Sequence, residues 1–160
     1  MVEKLIQTGE WDLVDFREYD SLRTNNLDAC VAAITYSSET RTNSSRTRSG
    51  SLAHHLIISP LDEYFAWIRR TVNPDDTNVY LVGGKDRLPS QHSPPLFSPT
   101  AKDSFRLVHR LELFFTAHGY YIANKHTFGM RTRNVTLFAE GRVEVEIKDY
   151  SLPSNPSIEL

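Results

Sequence analysis

The sequence predicts a single mixed α/β domain of the α+β kind, with largely antiparallel sheet and flanking helices. Three observations carry that expectation. Two short apolar runs, residues 30 to 36 and 52 to 58, read as central strands buried on both faces. A helical repeat follows from Ser104, with Phe105, Leu107, Val108, Leu111, Phe114 and Phe115 on one side and Gly119 closing it. Residues 134 to 138 and 142 to 147 alternate and are joined by Ala139-Glu140-Gly141, the pattern of a hairpin. The 160 residues suit one domain, able to bury roughly 70% of its unfolded surface.

The remaining elements follow in order. Residues 3 to 16 hold Leu5, Ile6, Trp11, Leu13, Val14 and Phe16 and read as one strand or two short ones. Residues 19 to 26 read as a loop, because Asp, Ser and Asn bond their own backbone. Residues 37 to 50 carry no apolar side chain and read as a flexible hairpin loop between the two central strands. Ser59 as cap, Pro60 in the first turn and Asp62 and Glu63 at the positive dipole end start a helix, which Asn73-Pro74 ends. Residues 79 to 82 form a short strand stopped by Gly83-Gly84, and the proline-rich stretch from 85 to 100 is expected to be irregular. Residues 120 to 123 read as a strand. The tail, 150 to 160, is polar and is expected to be frayed.

Composition excludes several function classes. A net charge of -2 supplies no field that draws nucleic acid or an anionic membrane. The basic cluster Arg41, Arg46 and Arg48 reads as a solvated loop. One cysteine permits no internal disulfide. No run approaches the roughly 20 apolar residues of a membrane span, and the first residues lack a signal-peptide pattern, so a cytoplasmic place is expected. The six histidines form no His-Glu-x-x-His, and one cysteine builds no thiolate zinc site. Neither a phosphate loop nor a nucleophile-elbow serine is present. No metal or organic cofactor is expected.

The chemistry candidates centre on Cys30. A lone cysteine in an apolar run is usually a small core residue. Its place at the start of a strand, just after a loop, also suits a nucleophile, which must be shielded from water yet open to substrate. His54 and His55 lie in the next apolar run, and periodicity does not choose between them as a base. Strand register decides which one reaches Cys30.

With the elements placed, their order resembles the bacterial chemoreceptor glutamine deamidase CheD. It also resembles the cysteine–histidine deamidase toxins, the cytotoxic necrotizing factors and the Burkholderia lethal factor. The likeness rests on residues 24 to 147. Leu27-Asp28-Ala29-Cys30 is similar to the family's Leu-Gly-Ser-Cys segment, and Thr24 holds the family's offset of six residues before the cysteine. Gly50-Ser51-Leu52-Ala53-His54 is similar to its Gly-Gly-Met-x-His pattern, and Val82-Gly83-Gly84 to its Phe-Gly-Gly step. The helix and strand through Ile122 and the turn at Gly129-Met130-Arg131 match the closing elements. Ala29 stands where toxin members have glycine.

The resemblance implies a CheD-like sandwich across residues 1 to 160. It also implies hydrolysis of a glutamine carboxamide to glutamate in a protein that exposes that glutamine. Cys30 would be the nucleophile, His54 the base and Thr24 its orienting partner, with Ala29, Gly83, Gly84 and Arg131 about the substrate. No cofactor, nucleic acid or membrane enters. The protein would act in the cytoplasm of the producing cell, or of a target cell if delivered as an effector. The same residues would also serve a transglutaminase, a thiol protease, or a binding module without activity.

Overall fold

The computed structural model describes residues 2–42, 45–85, 98–129, 131–148 and 151–160. Among these, the strands are β1 (Glu3–Leu5), β2 (Trp11–Asp15), β3 (Ser21–Leu27), β4 (Val31–Thr42), β5 (Ser45–His55), β6 (Thr77–Gly83), β7 (Tyr121–Thr127), β8 (Arg133–Phe138), β9 (Val143–Ile147) and β10 (Ser157–Glu159). Helix α1 (Leu61–Thr71) joins β5 to β6, and α2 (Ser98–Ala117) precedes β7. One sheet has the order β1-β3-β8-β9-β10 and the other β2-β5-β4-β6-β7. The β1–β3 and β6–β7 pairs are parallel and the rest antiparallel. The class is therefore mixed α/β with two sheets of mixed orientation, as expected. No helix among the described residues is long and apolar enough to cross a membrane.

Strand alternation builds two cores from β4. Ala32, Ile34 and Tyr36 face the other sheet and pack with Leu22, Leu27, Leu52, Val82, Val135 and Leu137. Val31 and Ala33 face the helices and pack with Leu61, Tyr64, Ile68, Leu81, Leu111 and Phe115. The result is three layers: sheet, sheet and helices. Each fully buried Leu, Ile or Phe contributes about 1.5–3 kcal/mol, so β4, lined on both sides, anchors the domain.

Several local expectations are corrected. The flexible loop expected over residues 37 to 50 is paired strand up to Thr42 and again from Ser45, with only 43 and 44 outside the described residues. A polar ribbon shows no apolar alternation, yet threonines suit a pleated backbone. The loop expected at 19 to 26 is mostly β3. Leu22, Thr24 and Leu27 point inward there, and Asn26, at φ 61, marks a register shift. The tail expected to fray adds β10 to the edge of β9, through exposed residues held by main-chain pairing. Strand β5 stops at His55, and Ile58 is 82% exposed. Pro60 occupies the N-cap of α1, while the Ser59 hydroxyl accepts from the Leu56 amide. Residues 86 to 97 of the expected irregular connection lie outside the described residues.

Candidate active site

The chain leaves the first sheet at Leu27 and enters the second at Val31, so Asp28-Ala29-Cys30 is the crossover between them. Pairing sets Val31 opposite His55 and Ala32 opposite His54. Alternation then places His54 on the inter-sheet face with Ala32, and Cys30, two residues before Ala32, packs against the same inter-sheet core. His55 faces the helices. Its ring lies 4.3 Å from that of Tyr64 and 6.3 Å from that of Trp11. Burial, with His54 adjacent, drives its pKa down to about 3, so it stays neutral. The sheet itself separates His55 from Cys30.

Thr24 reaches across the sandwich to His54. Its Oγ1 lies 2.8 Å from the Ile6 carbonyl oxygen and 2.8 Å from His54 Nδ1, and both side chains are buried. A hydroxyl has one proton. A carbonyl oxygen at that distance can only accept it, so Thr24 donates to Ile6 and accepts from the Nδ1–H of His54. The neutral imidazole is thereby fixed with its proton on Nδ1 and its lone pair on Nε2. That Nε2 is buried and has no hydrogen-bond partner among the described residues. The backbone of His54 is held as well, its N–H donating to Glu10 and its carbonyl accepting from Gly9. Burial lowers the His54 pKa, keeping the ring neutral and its lone pair free.

Cys30 is half-buried and free. Burial raises its pKa, and the Asp28 carboxylate adds to the rise. Lys85 pairs with that carboxylate at 2.8 Å and tempers its charge. The resting pair is thus neutral thiol and neutral imidazole.

Gly83 and Gly84 brace the backbone of Cys30. The Gly84 amide donates to the Cys30 carbonyl at 3.0 Å. At Gly83, φ is +113, and a Cβ there would sit 2.3 Å from the same carbonyl oxygen. Only glycine allows this approach. Ala29 carries its Cβ without strain: among the described non-glycine residues only Asn26 and Phe128 have positive φ. Arg131 stands exposed, its carbonyl accepting from the buried Arg133.

Four contributors to the candidate site escaped the sequence reading. The Ile6 carbonyl has no sequence signature. Asp28 and Lys85 are ordinary loop charges until the fold pairs them. Ser104 did leave a signal: it lies three, four and seven residues before Leu107, Val108 and Leu111, a small polar residue on an apolar stripe. Among the described residues no group of three or more His, Cys, Asp or Glu could hold a metal ion. No protein-family model and no curated protein matches the chain.

Proposed function

We propose that the protein is a cysteine-dependent protein-glutamine deamidase of CheD-like kind. The observation that carries the reading is the buried His54 ring. Thr24 fixes its proton on Nδ1, and its bare Nε2 lone pair lies on the sheet face that Cys30 shares. A buried polar atom without a partner calls for an explanation; His55 Nε2 and the Tyr64 hydroxyl share that state on the helix side, but only His54 Nε2 has it on the face of Cys30, where a base awaiting a proton explains it.

The chemistry proceeds in two halves. A glutamine carboxamide entering beside Cys30 excludes water, and His54 Nε2 takes the thiol proton. The thiolate adds to the carboxamide carbon, giving a tetrahedral oxyanion that the Cys30 amide N–H can hold. The imidazolium returns its proton to the amide nitrogen, the C–N bond breaks and ammonia leaves a thioester. His54 then deprotonates a water that attacks the thioester. The C–S bond breaks, the thiolate regains its proton and glutamate is released. A neutral side chain becomes an anion, enough to switch a protein interface. Target proteins incubated with the chain should gain the Gln→Glu mass difference and release ammonia, without chain cleavage or amine incorporation. The same mass gain from Cys30→Ser would sink the proposal.

One observation favours a second reading, a protein-binding module without activity. Cys30 makes no hydrogen bond to His54 Nε2, and its thiol is pushed toward the protonated form. Alkylation of Cys30 that does not respond to His54→Ala, even with a glutamine peptide bound, would select that reading.

A further inference from the structure

Ser104 is fully buried on the inner side of α2 and takes no part in the chemistry above. Its hydroxyl accepts from the Lys85 amide at 2.7 Å and donates to the Ala29 carbonyl at 2.9 Å. The Lys85 amide can only donate, so the direction of both bonds is fixed. Gly84, whose amide holds the Cys30 carbonyl, lies against the same hydroxyl: a Cβ there would sit 3.1 Å from Ser104 Oγ. Ser104 therefore clamps one peptide, the one joining Ala29 to Cys30.

That peptide is planar and trans, so its carbonyl and its N–H point in opposite directions. Helix α2 packs on the outer face of the second sheet. With the Ala29 carbonyl pulled toward α2, the Cys30 N–H points away from it, toward the side where the thiol and His54 lie. Among the described residues no backbone acceptor takes this N–H. It lies close enough to its own sulfur to favour the thiolate.

We propose that Ser104 is a positioning residue whose hydroxyl sets the plane of the Ala29–Cys30 peptide. It thereby aims the Cys30 N–H at the oxyanion formed when the thiolate adds to a carbonyl. The proposal rests on the deamidase reading for its substrate, a carboxamide, but the geometry serves any acyl transfer to Cys30.

Two reagents separate aiming from holding. Iodoacetamide alkylates a thiolate by direct displacement and forms no oxyanion. An activated ester, 4-nitrophenyl acetate, acylates it through a tetrahedral oxyanion. Modification of Cys30 is followed by peptide mass on the full chain. Ser104→Ala should slow acylation roughly 10-fold, less than the roughly 10²–10³ that follows outright loss of an oxyanion donor. Alkylation should not change, and Ser104→Thr should recover acylation. Should Ser104→Ala not fold, Ser104→Cys, similar in size and a weak donor, should show the same drop in acylation relative to alkylation. Equal slowing of both reactions would make Ser104 a mere support and overturn the proposal, as would unchanged acylation. If wild type shows the Ser104 effect but converts no glutamine, the deamidase reading fails and the role of Ser104 stands. Glutamine conversion with no Ser104 effect fails this proposal alone.

Discussion

Replacing Thr24 by Val keeps the volume between the sheets and removes one hydroxyl. That hydroxyl makes two buried hydrogen bonds, to the Ile6 carbonyl and from His54 Nδ1. Each buried group left without a partner costs about 1–3 kcal/mol. The imidazole, no longer held, recovers a little of this by relaxing to its intrinsically favoured Nε2–H tautomer, although Nε2 has no partner among the described residues. The net loss is then about 2–4 kcal/mol, or about 5–15 °C in melting temperature for a chain of this size. The more telling readout is the tautomer. In wild type, ¹⁵N spectra of the His54 ring should show a protonated Nδ1 and a bare Nε2. In Thr24→Val the proton should appear on Nε2, where it would block the proposed base, and the proposed deamidation should fall about 10²-fold, the low end of what a general base supplies. Thr24→Ser should restore both tautomer and rate. A Thr24→Val protein with the wild-type tautomer and melting temperature would refute the reasoning, since neither bond would then matter.

The rate of Cys30 alkylation should rise with pH through a midpoint above the ordinary thiol value of about 8.5. Asp28→Asn should bring that midpoint down and Lys85→Ala should raise it, because the carboxylate opposes the thiolate and the lysine screens it; an unmoved midpoint in both would remove Asp28 from the site. Both buried histidines have folded pKa values below the unfolded value near 6.5, so the unfolded chain binds more protons in acid. Stability should be complete above about pH 6.5 and decline toward pH 3. His55 alone accounts for roughly 3 kcal/mol by pH 4, and His55→Phe should flatten the decline in urea unfolding. Gly83→Ala forces a Cβ into the Cys30 carbonyl at positive φ and should cost about 2–5 kcal/mol; a urea midpoint at the wild-type value would contradict the close approach.

What the sequence made legible was what burial writes into it. The run from Val31 to Tyr36 is apolar on both faces because β4 is central, and it read as such. The stripe of α2 and the hairpin closing at Gly141 were equally plain. The rest was hidden for definite reasons. The outer half of the β4–β5 hairpin is rich in Ser, Thr and Arg, so strand pairing there leaves no hydrophobic period. Strand β3 carries Asn25 and Asn26, turn residues used here at a register shift. Strand β10 buries none of its side chains and joins the sheet by backbone pairing with β9. At the site, Cys30 and the order of Thr24 and His54 were visible. The contacts that give them meaning, through the Ile6 carbonyl and Ser104, are long-range and leave no local pattern.

The choice of His54 over His55 depends on one extra residue in β4. Near the hairpin tip the pairs are Thr42 with Ser45, Arg41 with Arg46 and Thr40 with Thr47; nearer the site they run from Ser37 with Ser49 to Val31 with His55. Ser38 and Glu39 therefore oppose Arg48 alone, as in a bulge. Carried inward unchanged, the tip register would set Ala32 against His55. His55 would then share the face of Cys30, and His54 would lie under the helices. A one-residue slip exchanges the two faces completely. Gly50 is what resists that slip. It pairs with Tyr36 and lies between the sheets, where a Cβ would sit 2.6 Å from Leu137 and 2.7 Å from the Phe16 ring. The slipped register would bring Ser51, with its Cβ, into that place. The space left by one missing side chain thus fixes the register, and the residue four positions further on the same face is His54. The spacing from Gly50 to His54 then has a steric cause, and the role proposed for His54 follows from packing at the middle of the strand.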